Sequence, residues 1–268
     1  MKIILKNNQK NKKYIVKTVI ILIIFSIILA TFSYYNSLKK WKATALQMIN
    51  NENYILLEDN IKNDNSKNSK KHIEKISLND LPPNLVNAYI AIEDERYYKH
   101  FGIDIKRTSA AIGSYIIHFG HASFGGSTIT QQLVKNLTGE NSNTISRKVK
   151  EWIKAIQLET FLSKEEILET YFNIIYTGPN IYGVSEASKY YFNKNVKDLN
   201  LVECAFLAGI NISPNSFNPF GKEDNAEKIT NRIKTVLYKM EELNYITEEE
   251  YNNSLIESEN INFKKSEF

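Results

Sequence analysis

The run PNLVNAYIAIEDERYYKHFGID, residues 83–104, changes character in its middle. Its first half is apolar at helical spacing, with Leu85, Tyr89 and Ile92 on one face and Pro82-Pro83 at the entry. Its second half opens on three consecutive acids, Glu93, Asp94 and Glu95, followed by His100. Glu93 falls where the apolar stripe ends. A carboxylate there is partly withdrawn from water, the setting in which proteins prepare a general acid or base. Read without its neighbours, the same stretch is equally a helix C-terminus with solvated charges, and His100 a structural histidine.

Downstream, the helical pattern continues almost without interruption. A second helix is expected from Gly126-Ser127 to Leu137, and a third carries Ile145, Val149, Trp152, Ile153 and Ile156 on one stripe. Ser163-Lys-Glu-Glu166 and Thr247-Glu-Glu-Glu250 have the form of capping boxes that open further helices. Leu199 to Ile210 is apolar nearly all round, as in a buried helix, and Ile229, Ile233, Val236, Met240 and Leu243 make a late amphipathic one. Strand-like alternation is scarce. Residues 75–265 therefore read as one mainly α domain.

Upstream lies a different kind of segment. Residues 18–36, TVIILIIFSIILATFSYYN, contain no charge and match the length that crosses a bilayer core. Six lysines precede them, and Tyr34, Tyr35 and Trp41 suit the far interface. The expectation is a basic cytoplasmic tail over residues 1–17, a single-pass anchor over 18–36, a polar linker over 37–74, and a domain outside the cytoplasm.

Composition narrows the classes further. With 43% hydrophobic and 24% charged residues, the 268-residue chain is too apolar to be disordered, and 10 Gly with 5 Pro exclude collagen-like repeats. One cysteine, Cys204, excludes an intramolecular disulfide framework, a paired-cysteine redox site and a multi-cysteine zinc site. A net charge of +4 permits an anionic partner surface without specifying one.

Two more clusters carry side chains suited to chemistry. In FGGSTITQQLVKNL, residues 124–137, Ser127, Gln131 and Lys135 are spaced i, i+4, i+8, opposite Ile129, Leu133 and Leu137. Gly125-Gly126 would leave the helix N-terminus open to an anion. An amphipathic surface helix has the same spacing, and the absence of a Gly-Lys-Ser/Thr ending argues against a nucleoside triphosphate. In SRKVKEWIKAIQLE, residues 146–159, Glu151 sits among Arg147, Lys148 and Lys150. That is either a surface ion pair or a second carboxylate held among phosphate-binding cations. Two carboxylates and a cationic site together suggest glycosyl transfer with a phosphate leaving group.

In this order the clusters resemble the peptidoglycan glycosyltransferases of glycosyltransferase family 51, in their monofunctional, membrane-anchored form. The likeness runs from about Leu81 to Pro219. It takes in Glu93-Asp94 with His100-Phe-Gly-Ile-Asp104, Gly125-Gly-Ser-Thr-Ile-Thr-Gln-Gln132, Arg147-Lys148-x-x-Glu151, Ile167-Leu-Glu-Thr-Tyr-Phe-Asn173, Gly183-Val184, and Glu203 to Gly209 with Pro214. Tyr97 stands where the family usually has Phe, Phe172 where Leu is common, and residues 138–146 contain no Lys or Arg.

The resemblance implies a lysozyme-like fold, with a smaller lobe around residues 103–124 that touches the membrane. It implies an inverting polymerisation of lipid II, in which Glu93 is the base and Glu151 orients the cations. Ser127, Gln131, Lys135, Arg147 and Lys148 then bind substrate. It implies no fixed cofactor, and leaves open a divalent cation, Mg2+ or Mn2+, beside Glu151. The implied partners are lipid II, the growing glycan, membrane lipid and other proteins of cell-wall synthesis, with no nucleic acid. The implied location is the bacterial inner membrane. The only Ser-x-x-Lys, Ser37 to Lys40, has no matching downstream motif, so penicillin binding is not expected. A glycan hydrolase also uses a carboxylate acid, but the cationic stripe argues against one. A non-catalytic scaffold would have no need of both glutamates.

Overall fold

A computed structural model of the chain describes residues 2–50, 75–117, 125–142, 144–221 and 225–266. The chain divides into two units, Met1–Leu46 and Gln47–Phe268.

The first unit is helical. Helix α1 spans Lys2–Asn50, and its portion from Lys17 is long and apolar enough to cross a membrane. The uncharged run lies inside it. The helix also continues through residues 37–50, so the stretch read as linker begins as helix. The remainder of that stretch, 51–74, lies outside the described residues.

The second unit is built around three helices. Helix α2, Pro83–Glu93, starts with proline in its first turn, where the missing N–H costs nothing. It buries Leu85, Ala88, Tyr89, Ile90 and Ala91. Further along come α3, Ile105–Ile117; α4, Ile129–Thr138; α5, Ile145–Leu158; and α6, Lys164–Ile174. A short antiparallel hairpin, β1 (Tyr176–Gly178) and β2 (Ile181–Tyr182), leads into α7, Val184–Phe192. Helices α8, Leu201–Ile210, α9, Ala226–Glu242, and α10, Glu248–Ser258, complete the unit.

Helix α8 is the centre. Every residue from Val202 to Ile210 is buried, as its unbroken apolar character predicts. It packs against α2 on one side and α9 on the other, and α9 presents Ile229, Ile233, Val236 and Met240 to it and to α2. The Tyr89 hydroxyl donates to the Leu207 carbonyl at 3.0 Å, which lets a phenol sit fully buried between helices. Both expected capping boxes are present, at Ser163/Glu166 and Thr247/Glu250, and a third joins Asn200 to Glu203. Asn173 accepts from the Ile76 N–H and donates to the Ile76 carbonyl, each at 2.8 Å, which ties the start of the domain to the end of α6.

Helix α5 departs from expectation. Three of its five stripe residues, Ile145, Val149 and Ile153, are exposed, by 85%, 44% and 43%, while Trp152 and Ile156 are half-buried, so the stripe is not the core face. The face turned inward carries Glu151, Ala155 and Leu158. A buried carboxylate thus outranks three aliphatic side chains, because Glu151 has partners to meet inside. Such a conflict between local pattern and tertiary placement is expected where a site overrides packing.

Candidate active site

The domain contains a cleft of about 1010 Å³. Glu93, Lys106, Arg107, Ser127, Gln132, Lys135, Arg147, Lys148, Glu151, Asn211, Arg232 and Lys239 all contribute to its lining. The expected site residues are therefore gathered in one place, although their sequence separation reaches almost sixty positions.

Glu93 is the last residue of α2. Its Oε2 accepts from Gln132 Nε2 at 2.6 Å. The Arg107 guanidinium reaches the Glu93 carbonyl and donates through Nε to the Gly125 carbonyl at 3.0 Å. Glu93 is half-buried, at the edge of a fully buried helix face, as the position in the apolar stripe predicts.

Asp94 is fully buried and does not join Glu93 in the cleft. Its carboxylate meets His100 Nε2 at 3.0 Å and accepts from the Ile129 backbone N–H at 3.0 Å. This corrects the reading of Gly125-Gly126-Ser127 as an open anion site. Helix α4 begins at Ile129, not at Gly126, and the anion at its N-terminus is the protein's own Asp94. Negative charge there is favoured by the helix dipole. His100 is thus structural.

The same shift breaks the supposed stripe. Ser127 lies before the helix, off the face shared by Gln131 and Lys135. Gln131 is fully buried, and its carbonyl accepts from the Thr128 N–H at 2.8 Å while Thr128 Oγ1 accepts from the Gln131 N–H at 3.1 Å. Thr128-x-x-Gln131 is a capping box, a signal already legible in the sequence. Gln131 caps the helix, and its neighbour Gln132, which the sequence reading passed over, touches Glu93. Arg107, Tyr171, Asn211, Arg232 and Lys239 were also missed. No local pattern marks them, because each acquires its role only when distant helices meet.

The same cleft holds a cluster of cations around Glu151. Glu151, 5% exposed, is bound by Arg147 through one carboxylate oxygen and by Lys148 through the other. Lys148 Nζ also donates to Ser127 Oγ at 2.7 Å. These are charge-assisted contacts in a partly desolvated setting, well beyond the surface ion pair that the spacing alone suggests. Lys135 is exposed on α4 and, among the described residues, pairs with no carboxylate. Of these cations two are clamped and one is not, and Arg96, Lys106, Arg107, Arg232 and Lys239 line the cleft as well. Arg232 on the far side donates to the Gly209 carbonyl at 3.0 Å; burial lowers its pKa, and the Glu93 carboxylate opposes that shift.

As the described residues stand, Glu151 is not free to hold a divalent cation. Both Glu151 oxygens are taken by Arg147 and Lys148, and among the described residues no group of three or more His, Cys, Asp and Glu side chains gathers. One departure from the family, and one glycine of the matching motif, have a physical account. The Tyr97 hydroxyl donates to the Lys164 carbonyl at 2.7 Å, so tyrosine gains a bond that phenylalanine would lack. Gly102, at φ +77°, lies where a Cβ would meet the Ala155 backbone at 2.7 Å, which is why α5 can pass so close.

This arrangement matches a known family. The Transglycosylase family model covers residues 59–241. The chain belongs to the transglycosylase family. It is 46% identical over 197 residues to penicillin-binding protein 1A of Clostridium botulinum, a match spanning 71% of this chain and 24% of the relative. The protein of that name from Clostridium perfringens is 46% identical over 187 residues, 68% of this chain and 28% of the relative. That from Vibrio cholerae is 46% identical over 177 residues, 66% and 21%. The chain thus spans about a quarter of the length of the curated relatives it matches. A crystal structure of penicillin-binding protein 1A from Haemophilus influenzae is similar at 25% identity and a TM-score of 0.43, over 74% of this chain and 19% of that one. The mainly α domain behind one apolar N-terminal helix is the lysozyme-like transglycosylase architecture.

Proposed function

We propose that this chain is a peptidoglycan glycosyltransferase that polymerises lipid II into glycan strands at the outer face of the bacterial inner membrane. The observation that carries the proposal is the opposition of charge within one cleft, which is lined by a half-buried glutamate and by the cations Lys135, Arg147 and Lys148 among others.

The chemistry follows from that opposition. Glu93 takes the proton from the sugar 4-hydroxyl of the acceptor as its oxygen attacks the anomeric carbon of the growing chain. The bond from that carbon to the pyrophosphate breaks with its electron pair on the departing oxygen, so configuration inverts. Charge grows on the leaving group in the transition state, where fixed cations contribute most. Lys135 supplies an uncommitted ammonium, and Arg147 and Lys148 add charge held in place by Glu151. Ser127 acts through Lys148, and Gln131 through the Thr128 cap that fixes the start of α4. No step is routed through a divalent cation.

The substrate's lipid tail accounts for the helix α1 anchor, and the lysines before it favour a cytoplasmic N-terminus. Exposed Ile105 and Ile117 on α3, with Ile145, Val149 and Ile153 on α5, support a lobe that meets lipid. The last part of the expected lipid-dipping segment, residues 118–124, lies outside the described residues.

Purified full-length protein incubated with lipid II, followed by sizing of the products, tests the reading. Glycan polymers released from their lipid carrier are the expected outcome. Cleavage of finished, lipid-free glycan in place of polymerisation would establish a hydrolase.

A further inference from the structure

Glu93 does not stand alone at the end of α2. The Gln132 amide that touches it is itself held from behind by two residues of other helices. Gln132 Oε1 accepts from the Tyr171 hydroxyl at 2.9 Å and from Asn211 Nδ2 at 3.3 Å. Asn211 Nδ2 also donates to the Tyr171 oxygen at 3.1 Å, closing a three-membered ring of hydrogen bonds. Tyr171 comes from α6 and Asn211 from the C-terminal cap of α8, so three helices converge on one amide.

The ring fixes a choice that an isolated glutamine would leave free. An amide can turn either its NH2 or its carbonyl toward a carboxylate, and only the first is attractive. Two donors converging on Oε1 hold the carbonyl on the Tyr171 side and aim the NH2 at Glu93 Oε2. The Tyr171 phenol stays a donor at every pH the enzyme meets. Burial first, and the Glu93 carboxylate second, push its ionisation well above the ordinary range. Glu93 Oε1, by contrast, has no hydrogen-bond partner among the described residues.

Resting on the glycosyltransferase reading, we propose that Tyr171 and Asn211 are positioning residues that lock the Gln132 amide, so that Glu93 Oε2 is occupied and Oε1 is presented as the proton-accepting atom. A base must be charged to act, and must keep one oxygen open to the incoming hydroxyl. The other charged and titratable groups around Glu93 are Tyr89, Asp94, Glu95 and Arg96 on its own helix and connection, Lys106 and Arg107 from α3, Lys135 from α4, and Arg232 and Lys239 from α9. None of them bonds to Gln132, so removing the lock leaves them in place.

The test compares two buried tyrosines. Tyr171→Phe removes a hydroxyl that touches Gln132. Tyr89→Phe removes one that is equally buried and bonds only to the Leu207 carbonyl. In full-length protein in detergent, the Gln132 side-chain amide is followed by 1H–15N NMR at one fixed pH, its resonances assigned by their loss in Gln132→Leu. Tyr171→Phe and Asn211→Leu should shift or broaden those resonances, and Tyr89→Phe should leave them in place. On lipid II, Tyr171→Phe and Asn211→Leu should lower kcat by about two- to tenfold, the size of one neutral hydrogen bond, with KM changed less. Unmoved Gln132 resonances in Tyr171→Phe, or equal changes in Tyr89→Phe, overturn the proposal. The NMR measurement needs no turnover, so a wild-type protein inactive on lipid II would count against the glycosyltransferase reading alone.

Discussion

Glu93 and Glu151 face the same cleft, yet they are held by opposite means. Glu93 ends a helix whose inner face is wholly apolar, and its side chain meets one neutral amide, with an oxygen left open. Glu151 is nearly buried on a helix whose apolar stripe points outward, and both its oxygens are taken by cations. A carboxylate with a free oxygen and a neutral neighbour can accept a proton. One clamped between an arginine and a lysine cannot do so without breaking two charge-assisted bonds, but it can fix where those cations stand. The difference assigns the base to one wall and the anion site to the other, from geometry that the two residues' shared chemistry would not distinguish.

The sharpest way to break this comparison is Glu93→Gln. The substitution keeps the size of the side chain and removes its ability to take a proton. Loss of general-base catalysis is worth about 10²–10⁴-fold, so polymerisation of lipid II should fall at least that far while the thermal transition stays near wild type. Turnover within tenfold of wild type by the folded variant would move the base elsewhere.

The wall behind Glu93 should be the more fragile in folding. Leu207 is fully buried at the centre of α8. Leu207→Ala should cost about 2–5 kcal/mol, the lost transfer energy plus the cavity left behind. Chemical denaturation monitored by circular dichroism reads this directly. A loss under about 1 kcal/mol would mean that α8 is not the packing centre.

In the same cleft, Lys135 pairs with no carboxylate among the described residues. Lys135→Ala should remove one charge-assisted contact to the leaving group, worth about 1.5–3 kcal/mol, or roughly ten- to a hundredfold in rate. Because the leaving group gains charge as its bond breaks, kcat should fall as well as the affinity for lipid II. Lys135→Arg should recover part of the loss, since a planar fork replaces a point charge. Kinetics equal to wild type at limiting and saturating lipid II would make Lys135 a surface lysine.

The contrast also explains what could be read from sequence. The scaffold wall was legible because burial there obeys the helical period: Leu85 and Tyr89 on α2, the unbroken run of α8, and Ile229, Ile233 and Met240 on α9 all point inward as their spacing predicts. Glu93 was legible as the polar break at the end of such a stripe. Gln132, Tyr171 and Asn211 were not, because their partners lie 39 to 79 positions away and no local pattern encodes that meeting. The start of α4 was misplaced for a different reason. Gly125-Gly126-Ser127 looks like a helix opening only if the Thr128-x-x-Gln131 box is overlooked, and that box puts the first turn two residues later and turns the Gln131 amide back onto the Thr128 N–H.

Helix α5 supplies the test with the smallest expected effect on stability. By period alone, Ile145, Val149 and Ile153 should be core, and replacing them with serine should cost several kcal/mol. They are exposed instead, and exposed substitutions away from caps and networks stay within about 0.5 kcal/mol. Val149→Ser and Ile153→Ser, singly and together, should therefore leave the denaturation midpoint almost unchanged, while Ala155→Ser on the inward face of the same helix should lower it. The pair separates two explanations of an apolar stripe that faces outward. If the stripe serves only solvent, the double variant polymerises lipid II in detergent and in vesicles at wild-type rates. If it meets lipid, activity is retained in detergent and falls in vesicles, with no loss of folded protein in either. A large drop in stability on Val149→Ser would instead restore the stripe to the core and reverse the orientation of α5. Glu151 would then leave the cleft, and the clamped wall on which the comparison rests would go with it.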